Sequence, residues 1–327
     1  MVDNKNKLLS IILLSYYSSD RIINCYEKTK EVMDNEKIPF EFIIIDDGSK
    51  DNSYYIALDL EKKHKNVKAF QLSKNYTAHY ALFAGINVCT GSCAVPMPDD
   101  FQQPLHTYVE MYRQWEKGNK LVIPYRVSRN DGFIKDIFSK TYYKIMNSLT
   151  EVKFPSGGCD VFLIDRELID ILDSKISHIN TSSTIEVLRL GFDPVFIPFH
   201  RPSINSKSRW TFKKKMKQAA DTFFTSSNFP IKLIIYLGFL TSLFSLILII
   251  TTILFKLLGE KNLGGFSVPG WTTTVIFISF FSGLILFSLG IIAEYIWRIY
   301  EEVKNRPGYI IKNKDNDLME RSNNIEL

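Results

Sequence analysis

Residues 43–53 read IIIDDGSKDNS, an unbroken apolar run that stops at Asp46-Asp47-Gly48-Ser49. An apolar run of strand length that ends in turn-forming Asp and Gly reads as a strand buried on both faces, with its C-terminal end opening into a loop. Working outward, Leu8–Leu14 is a second such run and Arg21–Asn35 a helical stretch. The strand of residues 43–53 begins at Phe40 and covers Phe40–Ile45. Beyond it, Ser53–His64 reads as a helix, Val67–Leu72 as a strand, Ala78–Val88 as a helix and Ser92–Met97 as a strand that ends at Pro98-Asp99-Asp100. Regular alternation of strand and helix predicts an α/β domain with a mostly parallel, Rossmann-like sheet. Ligands of such sheets sit beyond the carboxyl ends of the strands, which is where both acidic pairs fall. One such pair is ordinary turn chemistry. Two pairs at one sheet edge repel each other unless a cation or ligand hydroxyls compensate, an arrangement suited to a metal-bound diphosphate with a ribose alongside.

The 327 residues carry a formal net charge of +5, an excess that fits an anionic membrane surface or a phosphate-bearing substrate without selecting either. Cys25, Cys89, Cys93 and Cys159 are scattered, with no zinc-site spacing, and read as plain thiols of a reducing compartment. The apolar stretch near the N-terminus follows Asp3 and precedes no small-residue cleavage site, so it reads as the first strand and not as a signal peptide.

Composition changes after about Phe229. Leu233–Phe255 and Thr272–Ala293 are nearly charge-free, and at about 1.5 Å per residue the first would extend about 35 Å, enough to cross a hydrocarbon core of about 30 Å. Gly259, Gly264, Gly265, Pro269 and Gly270 between them suit a short loop, giving a helical hairpin. Lys213, Lys214, Lys215 and Lys217 precede the first run, while Arg298, Lys304 and Arg306 follow the second, which predicts cytoplasmic termini. Trp210–Phe224 interleaves basic and apolar residues, as an interfacial helix or an ordinary solvated basic helix would. The expected organisation is 1–205 catalytic domain, 206–230 juxtamembrane amphipathic helix, 231–257 first span, 258–271 extracytoplasmic loop, 272–300 second span and 301–327 cytoplasmic tail.

On these segments the chain resembles the family 2 inverting glycosyltransferases of GT-A fold, and within them the polyprenyl-phosphate sugar synthases with two C-terminal spans. IIIDDGSKDNS is similar to the family's nucleotide-binding Asp-Asp-Gly-Ser segment, and Leu72–Gly91 to its Leu-Ser-Arg-Asn-Phe-Gly stretch and following helix. The resemblance implies a nucleotide site at Asp46, Asp47, Ser49, Lys74 and Asp99. PDDFQQP, Pro98–Pro104, is similar to the family's Asp-x-Asp-Leu-Gln-Asp-Pro-Pro segment and implies Mg2+ or Mn2+ held by Asp100 and Gln102. Tyr125–Leu149 resembles the segment that meets the acceptor phosphate, implying contacts from Arg126, Arg129, Lys135 and Ser139. Ser156–Glu167 brings Asp160 into register with a family aspartate. Asp100, Asp160 and Arg126 are the residues the resemblance places nearest the chemistry, Asp160 as general base or as a positioning group.

The chain departs from the family pattern at several donor-side positions. Pro98 stands where the family has the first metal aspartate, Phe162 where many members have arginine, Ser18-Ser19 where Asn-Glu is usual, and Thr77 at a common glycine. An atypical donor sugar, or else an enzyme that has lost activity, is the inference drawn from them.

The expected reaction is attack by a lipid phosphate oxygen on the anomeric carbon of a nucleotide-sugar, with inversion, at the cytoplasmic face of the plasma membrane. A second phosphate pKa of about 6 means this nucleophile is already ionised at neutral pH. A processive polysaccharide synthase is disfavoured, because Ser206 replaces the Gln of its Gln-x-x-Arg-Trp motif and a two-span hairpin is too small for a channel. A binding or regulatory protein on a degenerate transferase fold is favoured by Pro98 and disfavoured by the acceptor segment. No nucleic-acid recognition motif accompanies the basic residues. Assembly into a homo-oligomer such as a tetramer is a further expectation from the resemblance.

Overall fold

The computed structural model describes residues 7–126, 161–176, 183–200, 229–257, 270–304 and 306–312. The chain divides into two compact units, one of residues 1–226 with 307–327, the other of residues 227–306.

In the first unit the apolar runs become strands β1 (Leu9–Ser15), β2 (Phe40–Asp46), β3 (Val67–Gln71) and β4 (Cys93–Pro98). They are followed by β5 (Leu121–Arg126), β6 (Leu163–Asp165) and β7 (Val195–Phe199). Among the described residues these form one sheet of order β3-β2-β1-β4-β6-β5-β7. The first four strands are mutually parallel, and β6 runs antiparallel to both β4 and β5. The expected strands and helices over residues 8–97 are present with ends shifted by a residue.

The helices are α1 (Ile22–Asn35), α2 (Ser53–Lys63), α3 (Ala78–Val88), α4 (Leu105–Glu116), α5 (Arg166–Lys175) and α6 (Ser183–Arg189). Because successive side chains on a strand point to opposite faces, the isoleucines of β2 divide between two cores. Ile44 packs with Ile11, Leu13 and the apolar faces of α1, α2 and α4. Ile43 and Ile45 pack with Ile12 and residues of α3 and α5. Burial on both faces is what makes these strands read as unbroken apolar runs. Phe162, at the position where resembling proteins carry arginine, is 1% exposed and belongs to the core on the α3 side.

Topology then positions the site. From β1 the chain moves outward through β2 and β3, then returns to place β4 on the other side of β1. This reversal leaves a crevice at the carboxyl ends of β1, β2 and β4. The register pairs Ser15 with Asp46 and Leu14 with Pro98, so the two acidic turns flank the end of β1.

The second unit holds helices α7 (Phe229–Leu257) and α8 (Gly270–Val303), which contain the two apolar runs. Among the described residues, Phe280–Val303 is long and apolar enough to cross a membrane, with a mean hydropathy of 1.8, and Pro230–Thr241 is a shorter apolar stretch. Large side chains such as Ile285, Leu286 and Phe287 are exposed there, apolar surface that calls for a lipid or protein cover. Nearly all of the expected juxtamembrane helix and interspan loop lies outside the described residues.

Candidate active site at the strand ends

Asp46 closes β2 and is fully buried. Its Oδ2 accepts from the Ser49 backbone N–H at 3.0 Å and from Gln71 Nε2 at 2.8 Å, while Oδ1 accepts the Ser49 hydroxyl. The Ser49 oxygen in turn accepts the Tyr17 backbone N–H at 2.9 Å. Burial raises the Asp46 carboxyl above its ordinary range, with the Ser49 and Gln71 donors opposing the shift. Asp46 therefore shapes the turn from within.

The next three residues hold that turn against the start of α3. Gly48 has φ of +68°, and a Cβ there would lie 2.4 Å from the Lys74 carbonyl carbon, so the close approach of Gly48 to Lys74 admits only glycine. Lys74 meets the turn through its backbone, and its ammonium lies 5.0 Å from the Tyr76 ring centre. Asp47 accepts the N–H groups of Tyr76 at 2.7 Å and Thr77 at 2.9 Å, which precede α3 and lack helical partners. Burial pushes Asp47 up to about 6 despite these two donors.

Across β1, Asp99 and Asp100 make separate contacts. Asp99 Oδ2 accepts the Ser18 hydroxyl and lies 3.1 Å from Arg21 Nη2. Its carboxyl is raised by burial, with Ser18 and Arg21 pulling the other way. Asp100 Oδ2 accepts Gln102 Nε2 at 2.6 Å. Its Oδ1 is buried and has no hydrogen-bond partner among the described residues. Such an orphaned carboxylate oxygen calls for a cation, water or ligand. No group of three or more acidic, His or Cys side chains suited to a metal occurs among the described residues, so Asp100 and Gln102 would leave most of a cation's shell to substrate phosphate and water. The residues present fit a cation in that limited sense.

The β1 loop joins the two sides, since Tyr17 binds Ser49 and Ser18 binds Asp99. Asp46, Asp47, Ser49 and Lys74 thus come together at the β2 end, with Asp99, Asp100 and Gln102 at the β4 end. Arg126 ends β5 and is half-buried. Asp160, Arg129, Lys135 and Ser139 lie outside the described residues. Sequence reasoning did not single out the roles of Ser18, Arg21 and Gln71. Their signal was weak, because each acts on an aspartate far away in the chain and polar residues at loop starts are common.

The mostly parallel sheet thus carries acidic turns on both sides of its strand β1. The chain belongs to glycosyl transferase family 2, which matches residues 10–172. It is 33% identical over 309 residues to CsbB, a putative glycosyltransferase of Bacillus subtilis, covering 94% of this chain and 92% of that protein. It is 31% identical to an uncharacterized glycosyltransferase of Synechocystis, with 93% and 94% coverage. A prophage-derived bactoprenol glucosyl transferase of Shigella flexneri is 26% identical over 310 residues, 93% of this chain and 97% of that protein. The protein is a glycosyltransferase.

Proposed function

We propose that this enzyme transfers a sugar, with inversion, from a nucleotide-sugar to a membrane polyprenyl phosphate, undecaprenyl phosphate being the expected acceptor. The observation that carries this reading is the alignment with the bactoprenol glucosyl transferase, which runs through 97% of that protein and is too long to stop short of the apolar helices. A soluble acceptor would give no reason for that appendage. In this reading α7 and α8 both span the plasma membrane, with the catalytic unit and both termini cytoplasmic, as the flanking lysines and arginines suggest.

On the donor side, the turn of Asp47 to Ser49, held by Asp46 and Gln71, receives the nucleoside through ribose or base hydrogen bonds. Asp100 and Gln102 would hold Mg2+ or Mn2+, whose charge stabilises the leaving diphosphate. On the acceptor side, Arg126 with Arg129, Lys135 and Ser139 orients and partly neutralises a phosphate that is already ionised, so no strong base is required. Asp160 is assigned a positioning role beside that phosphate.

Pro98 in the first metal-aspartate position favours a second reading, a nucleotide-sugar-binding regulator without turnover. Radiolabel transfer from UDP-, GDP- and TDP-sugars to undecaprenyl phosphate in detergent, with and without EDTA, separates the two. Organic-extractable product that is lost in Asp100→Ala supports transfer. Folded protein that binds a nucleotide but makes no lipid-linked product from any donor refutes it.

A further inference from the structure

The chain beyond α8 rejoins the catalytic unit. Ile311 forms an antiparallel bridge with Leu72, flanked by hydrogen bonds of 2.8 Å from Ser73 N–H to the Ile310 carbonyl and from Lys312 N–H to the Gln71 carbonyl. Tyr309 and Ile311 pack against the core on the α3 side, and the Tyr309 hydroxyl lies 3.4 Å from the Phe83 carbonyl. Backbone pairing and apolar docking together give this short segment a defined register at the end of β3.

That register places one side chain against the nucleotide turn's support. Lys312 Nζ donates to Gln71 Oε1 at 2.9 Å. Gln71 Nε2, the other end of the same amide, donates to Asp46 Oδ2 at 2.8 Å and lies 3.4 Å from the Ser49 carbonyl. A side-chain amide can present either end, but an ammonium group only donates, so Lys312 holds Oε1 toward itself and Nε2 toward Asp46. With the amide reversed, its oxygen would face the Asp46 carboxylate, acceptor against acceptor. Lys312 is exposed and fills no core space, so its contribution is orientation and not packing.

We infer that the C-terminal tail is part of the donor-binding machinery, with Lys312 a positioning residue that locks Gln71 and, through Asp46, the turn of Asp47 to Ser49. The inference rests on the proposal that this turn receives the donor nucleotide. It makes donor affinity depend on a segment that follows the apolar helices in the chain, so an intact anchor tail becomes a condition for tight donor binding.

The test uses full-length protein in detergent, as wild type, Lys312→Ala and Lys312→Arg. UDP, GDP and TDP are titrated directly, and donor KM, lipid-phosphate KM and the unfolding temperature are measured beside them. Lys312→Ala is expected to weaken binding of the preferred nucleotide and to raise donor KM about fivefold, the effect of one net hydrogen bond. Lipid-phosphate KM and unfolding temperature should stay at wild-type values, and Lys312→Arg should restore donor binding. Unchanged nucleotide affinity in Lys312→Ala overturns the inference, as does a fall in unfolding temperature with both KM values moving together. Nucleotide binding without sugar transfer in the wild type refutes the proposed reaction while the titrations still decide the role of Lys312. A wild type that binds none of the three overturns both.

Discussion

Asp47 Oδ2 accepts the backbone N–H of Thr77 at 2.9 Å, and Thr77 makes that contact with φ of 87° and ψ of 162°. This region is open essentially to glycine, and a residue with a Cβ is held there at a cost of about 1–3 kcal/mol. Glycine would relieve that strain but lose about 0.5–1 kcal/mol to its freer unfolded chain. Thr77→Gly should therefore raise stability by about 1 kcal/mol in denaturant titrations. Because Asp47 uses only the N–H, nucleotide binding should be retained.

Asp47 also predicts a pH dependence. Its folded value of about 6 lies above the usual aspartate range, so its protonated form is the one the fold favours. That contribution to stability is present below the unfolded value and lost as pH rises through about 6. If the ionised form accepts hydrogen bonds from the nucleoside, protonation opposes binding. Nucleotide-sugar affinity should then fall about tenfold between pH 7 and pH 5, and Asp47→Asn should flatten the profile. A nucleotide-sugar is the ligand to titrate, since its diphosphate has no second ionisation in this window.

Asp100 carries the one buried carboxylate oxygen of the two acidic turns that has no protein donor among the described residues. With nucleotide-sugar present, Asp100→Asn should weaken Mn2+ binding, read by electron paramagnetic resonance, by at least about tenfold and lower kcat by about a hundredfold. Equal Mn2+ affinity in the two proteins would exclude Asp100 as a ligand.

Away from the site, Glu41 is buried and gathers five donors. They are the Ser10 hydroxyl at 2.7 Å, Lys68 Nζ at 3.0 Å, Thr90 Oγ1 at 2.8 Å, Gly91 N–H at 3.1 Å and Thr90 N–H. Burial opposes ionisation, but these donors outweigh it and hold Glu41 below the ordinary glutamate range. Its contribution is thus present at neutral pH and lost as pH falls through the depressed value. Glu41→Ala should cost about 3 kcal/mol at pH 7, and the gap from wild type should narrow in acid, measured by urea unfolding at each pH.

The first half of the fold was legible because β1, β2 and β4 are buried on both faces, so their sequences are unbroken apolar runs. The later strands were not drawn. β6 has only three residues, Leu163–Asp165, and runs antiparallel between neighbours, so its identity comes from pairing with β4 and β5. Phe162 shows the same limit: by resemblance it is a donor-side departure from a common arginine, whereas the fold uses it as core.

The sequence by itself determined the alternating α/β domain, the apolar C-terminal runs and the two acidic strand ends, because periodicity, hydropathy and turn chemistry are local properties. Tertiary structure alone decided which groups govern those acids. Ser18 meets Asp99 across 81 positions, and Lys312 meets Gln71 across 241. No local signal marks such partners, since a serine or lysine in a loop looks the same whether it faces water or a carboxylate. Only sheet order and strand register bring them within hydrogen-bonding distance.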